Sequence, residues 1–201
     1  MVSSRFKEWF QERVRPLAQL LSEMGLKPNH LTLLGLLIST LSALCYLNLH
    51  RDVWMPLAAS LLLLLSGLMD ALDGVLARVR GEASPLGGFL DSLADRYSDA
   101  IVLASIIIAG LCPLIYGLAA LAGSLLVSYS RARAEVEGVS MAGVGLAERG
   151  ERVILLSIST LLTYLKAEAL PLCILLLALL THLTVLQRAL HAYKALKLNA
   201  S

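Results

Sequence analysis

Residues 69–100 read MDALDGVLARVRGEASPLGGFLDSLADRYSDA. Asp70 and Asp73 are three apart, which puts both carboxylates on one face of a helix. Gly74 and Arg78 continue that stripe, and Gly81, Ser84 and Pro85 then supply turn chemistry. A new helix is expected to begin near Gly87, with Asp91 and Asp95 one and two turns further on. The stretch therefore predicts two antiparallel helices joined by a tight turn, each presenting two carboxylates that can converge on one point. Gly74, Ala77, Gly87 and Gly88 are small enough to let helices approach or to leave room for a ligand.

The surroundings of this hairpin are apolar. Of 201 residues, 57% are hydrophobic and 16% charged, against about 25% charged in a soluble chain. Mean hydropathy is +0.74. A globule this small has too little interior for so much hydrocarbon, which excludes an ordinary soluble protein and a disordered one. A net charge of +2 is too small a footprint for nucleic-acid binding. Cys45, Cys112 and Cys173 lie in separate apolar runs, as buried free thiols do.

Six runs approach the roughly 20 apolar residues that cross a bilayer: 31–49, 53–72, 88–110, 113–130, 152–166 and 169–187. Short connectors make them helical hairpins. With both termini on one side, that side collects fifteen of the 17 Lys and Arg residues, and Arg51 and Lys166 take the other. The crowded side is then cytoplasmic. Residues 1–28 have no uninterrupted apolar core for a cleavable leader. Within them Phe6, Phe10, Val14, Leu17, Leu21 and Met24 recur at helical spacing among charges, with Trp9 suited to the interface and Pro16 to a kink. The expected fold is all-α and integral to the membrane: an amphipathic interfacial helix and linker (1–28), then a six-helix domain (29–201) with both termini cytoplasmic.

Charges near a bilayer are costly and mark function. Four clustered Asp residues repel one another unless protons or cations neutralise them. Interhelical salt bridges would demand matching cations, and the stripe carries one Arg. All-oxygen ligands without His or Cys favour Mg²⁺ or Mn²⁺ over zinc. Four carboxylates suit two ions about 3.5–4 Å apart, an arrangement used for phosphoryl displacement. Arg78 offers a planar donor to phosphate oxygens. A cation or proton transporter would spread its acids across membrane depth, whereas these gather at one end of two spans.

The pattern Asp70-x2-Asp73-Gly74-x2-Ala77-Arg78-x8-Gly87-x3-Asp91-x3-Asp95 resembles, without gap or substitution, the signature of the CDP-alcohol phosphotransferase family. The resemblance implies six spans, an interfacial N-terminal helix, a homodimer, and transfer of a phosphatidyl-type group from a CDP-linked lipid to an alcohol with release of CMP. It implies that Asp70, Asp73, Asp91 and Asp95 hold the metals and that Asp95 deprotonates the acceptor. Gly74, Arg78 and Ser84 would contact the CDP-lipid, within a motif that also carries Ala77 and Gly87. Lys27-Pro28-Asn29-His30-Leu31-Thr32 looks like the family's TPNxxT element, which would bring Asn29, His30, Leu31 and Thr32 to the nucleotide.

A second charged cluster lies between the fourth and fifth runs. Arg131, Arg133, Arg149 and Arg152 suit a phosphorylated acceptor rather than a neutral one. SYSRARAE at 128–135 and AERGER at 147–152 resemble the branch that makes phosphatidylinositol phosphate, including its archaeal counterpart. That resemblance implies that Arg131, Arg133 and Arg152 grip inositol 1-phosphate. Glycerol 3-phosphate is the second expectation. Whether the donor is CDP-diacylglycerol or CDP-archaeol is not legible, since one apolar groove accepts either tail.

Overall fold

The computed structural model describes the backbone of residues 2–146 and 148–199 and the side chains of most residues from Glu12 to Lys197. Seven α-helices and no strand occur among them: α1 (Val2–Glu23), α2 (Pro28–Leu47), α3 (Met55–Arg80), α4 (Pro85–Ile108), α5 (Leu114–Val136), α6 (Arg149–Leu162) and α7 (Ala169–Asn199). The expected side chains of Phe6, Trp9 and Phe10 lie outside the described residues.

Local chemistry sets the hairpin at the centre. α3 runs past its apolar stretch through the whole Asp–Arg stripe and stops at Gly81, whose left-handed φ of 65° suits glycine. Glu82 N–H donates to Ala77 O at 3.0 Å and Gly81 N–H to Arg78 O at 3.3 Å, a Schellman closure. Ser84 then caps α4, its Oγ accepting from Gly87 N–H at 3.1 Å, and Pro85 takes the first helical position. Between the helices, Arg80 binds Glu82 at 2.8 Å and holds that carboxyl below the usual range.

Helices α2, α3 and α4 form one group and α5 and α7 another; α4 packs on α5, and α6 joins the groups again by touching α3 and α7. The main core gathers Tyr46, Ile106, Leu170 and Ile174, all fully buried. A smaller cluster joins Ala18 of α1 to Leu31, Leu72 and Leu76, so the C-terminal half of α1 belongs to the bundle. Leu33, Leu37 and Leu44 face outward, as do Leu172, Leu179 and Leu186 of α7, the surface a bilayer covers.

Helices α2, α3, α5 and α7 are long and apolar enough to cross a membrane, which makes the chain a multi-pass membrane protein. The other two expected crossings differ for separate reasons. α4 carries Asp91, Asp95, Arg96 and Asp99 within its first two thirds. α6 has 14 residues, because the chain turns at Thr163 before the expected end at 166, and a helix of that length spans about 21 Å.

Candidate active site

Asp70 lies in the second half of α3, and Asp91 and Asp95 lie one turn apart in the first half of α4. One oxygen of each falls within 4.8 Å of the others. The convergence follows from register: the i,i+4 pair on α4 faces the α3 stripe across the Gly81–Ser84 turn. Asp73, on the same α3 face, points instead to α2, where Thr32 Oγ1 donates to its Oδ2 at 2.6 Å. α2 comes close because Gly35 has no Cβ; one would lie 3.3 Å from Met69 Cβ. Thr32, Asp70, Asp73, Asp91, Asp95 and Arg149 line one cleft of about 210 Å³.

A cation from elsewhere in the chain sits among these acids. Arg149, at the start of α6, places Nη1 2.8 Å from Asp70 Oδ2 and 2.9 Å from Asp95 Oδ1. Sequence reasoning put Arg149 with the acceptor's guanidiniums, but the approach of α6 to α3 brings it into the carboxylate group. The residues suit a divalent cation: the donors are all oxygen, they cluster without hydrogen-bonded partners enough to offset their repulsion, and the position between two of them already holds positive charge.

Residues expected at a donor site are distributed around the same end. Asn29 Oδ1 would lie 3.6 Å from a Cβ added at Gly87, so the starts of α2 and α4 meet there. Arg78 reaches back to within 3.7 Å of a Cβ added at Gly74, and it makes no ion pair among the described residues. Ala77 follows on α3. Leu31 is buried in the α1–α3 cluster, and His30 Nδ1 accepts from Lys27 N–H at 3.4 Å. These two therefore shape the start of α2, and no described contact turns them toward the cleft.

The arginines expected to hold an acceptor divide. Arg152 is buried; its Nη2 donates to Asp99 Oδ2 at 3.1 Å, while Nε and Nη1 have no partner. Beside it lies a second, partly open cavity lined by Asp99, Arg152, Ser98 and Ser124 and otherwise by apolar side chains. Arg131 and Arg133 are two residues apart on α5 and cannot share a face. Each is half exposed and pairs with its own i+4 acid, Glu135 at 2.8 Å and Glu137 respectively. The two guanidiniums therefore leave α5 on opposite sides.

Sequence reasoning missed two residues. Asp99 continues the Asp91–Asp95 stripe by one more turn, and periodicity alone could have found it. Arg188 is a lone buried cation in α7 that donates to Val144 O at 2.9 Å and to Val127 O. Its place directly after the 169–187 run is its signal.

Comparison with known proteins follows the same lines. A family model described as CDP-alcohol phosphatidyltransferase matches residues 26–197. The archaetidylinositol phosphate synthase of Pyrococcus horikoshii is 36% identical over 97% of this chain and 98% of its own. That of Aeropyrum pernix is 40% identical over 94% and 95%. A crystal structure of Mycobacterium tuberculosis phosphatidylinositol phosphate synthase with CDP-DAG bound superposes with TM-score 0.76 at 30% identity, covering 90% of this chain and 93% of that one. The same enzyme in complex with manganese and citrate gives TM-score 0.77, also at 30% identity, over 90% and 88%.

Proposed function

The chain belongs to the CDP-alcohol phosphatidyltransferase family, and from that premise we propose that it transfers the lipid phosphate of a CDP-linked lipid to inositol 1-phosphate, releasing CMP. Its relatives' names support this acceptor over glycerol 3-phosphate, and the orphaned donors of buried Arg152 suit the phosphate that both carry. The single observation that carries the reading is geometric. A carboxylate cluster from α3 and α4 adjoins a cavity whose guanidinium, held by Asp99 at one nitrogen, has its other two without a partner.

Asp70, Asp91 and Asp95, with Asp73 beside them, would hold Mg²⁺ or Mn²⁺, two ions for four carboxylates. Bound there, the ions supply charge neutralisation for the pyrophosphate and for the departing CMP. Asn29, Thr32, Gly74, Ala77, Arg78, Ser84 and Gly87 surround the donor's CDP part. Of these, Arg78 is the free cation for its phosphates, while Thr32 fixes Asp73 and Ser84 fixes the start of α4. Arg152, with Arg131 and Arg188, would bind the acceptor's phosphate and orient its ring hydroxyl toward Asp95. Asp95 takes the hydroxyl proton as the oxygen bonds to the lipid-side phosphorus. The pyrophosphate P–O bond breaks on the far side, and CMP leaves with the electron pair.

α4 and α6 complete six crossings, with both termini, α1 and the acid cluster at the cytoplasmic face of the cell membrane. The fifteen-to-two division of Lys and Arg supports this orientation. The functional unit is a homodimer, as the family resemblance implies. The purified protein with Mn²⁺ and labelled CDP-lipid is expected to release CMP with inositol 1-phosphate and not with glycerol 3-phosphate or inositol. Equal turnover with glycerol 3-phosphate would refute the acceptor assignment.

A further inference from the structure

Arg149 stands where it cannot stay once a divalent cation arrives. Its Nη1 contacts Asp70 and Asp95, two of the three carboxylates in the cluster, at 2.8 and 2.9 Å. Its Nε is buried with no hydrogen-bond partner, and Asp99 Oδ1 waits 3.5 Å from it. Asp99 meanwhile binds Arg152 through its other oxygen at 3.1 Å. Charges thus alternate along a chain from the acid cluster through Arg149 and Asp99 to Arg152. A guanidinium largely out of water keeps a carboxylate partner in either position. Asp99 is the one within reach that is not in the cluster.

The geometry points to Arg149 and Asp99 as positioning residues that couple the two halves of the site. Arg149 neutralises Asp70 and Asp95 until a divalent cation loads, then withdraws onto Asp99. Asp99, now shared, loosens its hold on Arg152 and turns that guanidinium toward the anion in the adjoining cavity. Cation and phosphate monoester therefore bind with positive coupling, which is reciprocal between the two ligands. This inference rests on the acid cluster being a cation site, and its test keeps the two claims apart.

The test is Mn²⁺ binding without substrate, read by the electron paramagnetic resonance of free Mn²⁺, on the full-length protein in detergent. Arg149→Met is expected to bind Mn²⁺ about tenfold tighter, because a competing charge is gone. Asp99→Asn is expected to bind it about tenfold weaker, because the displaced guanidinium has no receiver. In the double variant the Asp99→Asn effect should vanish, since nothing remains to be received. If the two effects simply add, Arg149 is a fixed charge acting at a distance and the relay is wrong. Arg152→Met gives a second cycle that does not depend on Asp99→Asn folding. It should tighten Mn²⁺ about threefold in the wild-type background, by leaving Asp99 to Arg149, and have no effect beside Arg149→Met. A threefold effect in both backgrounds overturns the proposal. Mn²⁺ binding that ignores Asp91→Asn would instead refute the cation site itself.

Discussion

The two ends of the helix bundle treat polar groups in opposite ways. Away from the acids, hydroxyls stitch helices together: Tyr46 with Thr160 at 2.7 Å, Ser42 to Ala59 O at 2.7 Å and Ser60 to Ser157 O at 2.9 Å. At the other end, like charges crowd together and guanidiniums go short of acceptors. Four buried side-chain atoms lack partners among the described residues; three belong to Arg149 and Arg152 and the fourth is the Ser157 hydroxyl. Unsatisfied buried groups are costly, so one end is built for stability and the other holds groups that await ligands. The difference locates function without reference to any relative.

Substitutions at the two ends should separate accordingly. Asp91→Asn is expected to lower CMP release by about 10³-fold while leaving thermal stability equal or higher, since it relieves repulsion. A variant that unfolds would show the acids to be structural. Arg152→Ala or Arg188→Ala should raise the KM for inositol 1-phosphate by about 10- to 100-fold with little change in the donor's KM. An equal rise in both would break the division into two subsites.

At the stable end the sign reverses. Gly123 faces α7, where an added Cβ would lie 2.2 Å from Thr181 Oγ1 and 2.9 Å from Thr181 Cβ. Gly123→Ala should cost about 1–3 kcal/mol in reversible unfolding. Tyr46→Phe removes one buried hydrogen bond and should cost about 1 kcal/mol without altering either KM. Smallest of all, Arg133→Ala breaks an exposed pair with Glu137. It should change stability by less than about 0.5 kcal/mol and acceptor KM by less than about twofold; a large rise would return Arg133 to the acceptor site.

What was legible in the sequence is what depends on local periodicity. The Asp70 and Asp91–Asp95 stripes, the Gly81–Pro85 turn and the small residue at Gly87 follow from spacings of three and four within one helical hairpin. The family resemblance rests on the same residues. The ion pairing of Arg149 was not legible, because it depends on how α6 leans on α3, about 80 residues later in the chain. The run 152–166 is the shortest of the six, so a short α6 was legible, but the turn at Thr163 was not, because hydropathy does not register it.

Removal and return of the cation tests the account most directly. Protein stripped with EDTA, still folded by its melting profile, should release no CMP from CDP-lipid and inositol 1-phosphate. Mn²⁺ should restore the rate, with one CMP formed per lipid product. Undiminished CMP release in EDTA would contradict the account.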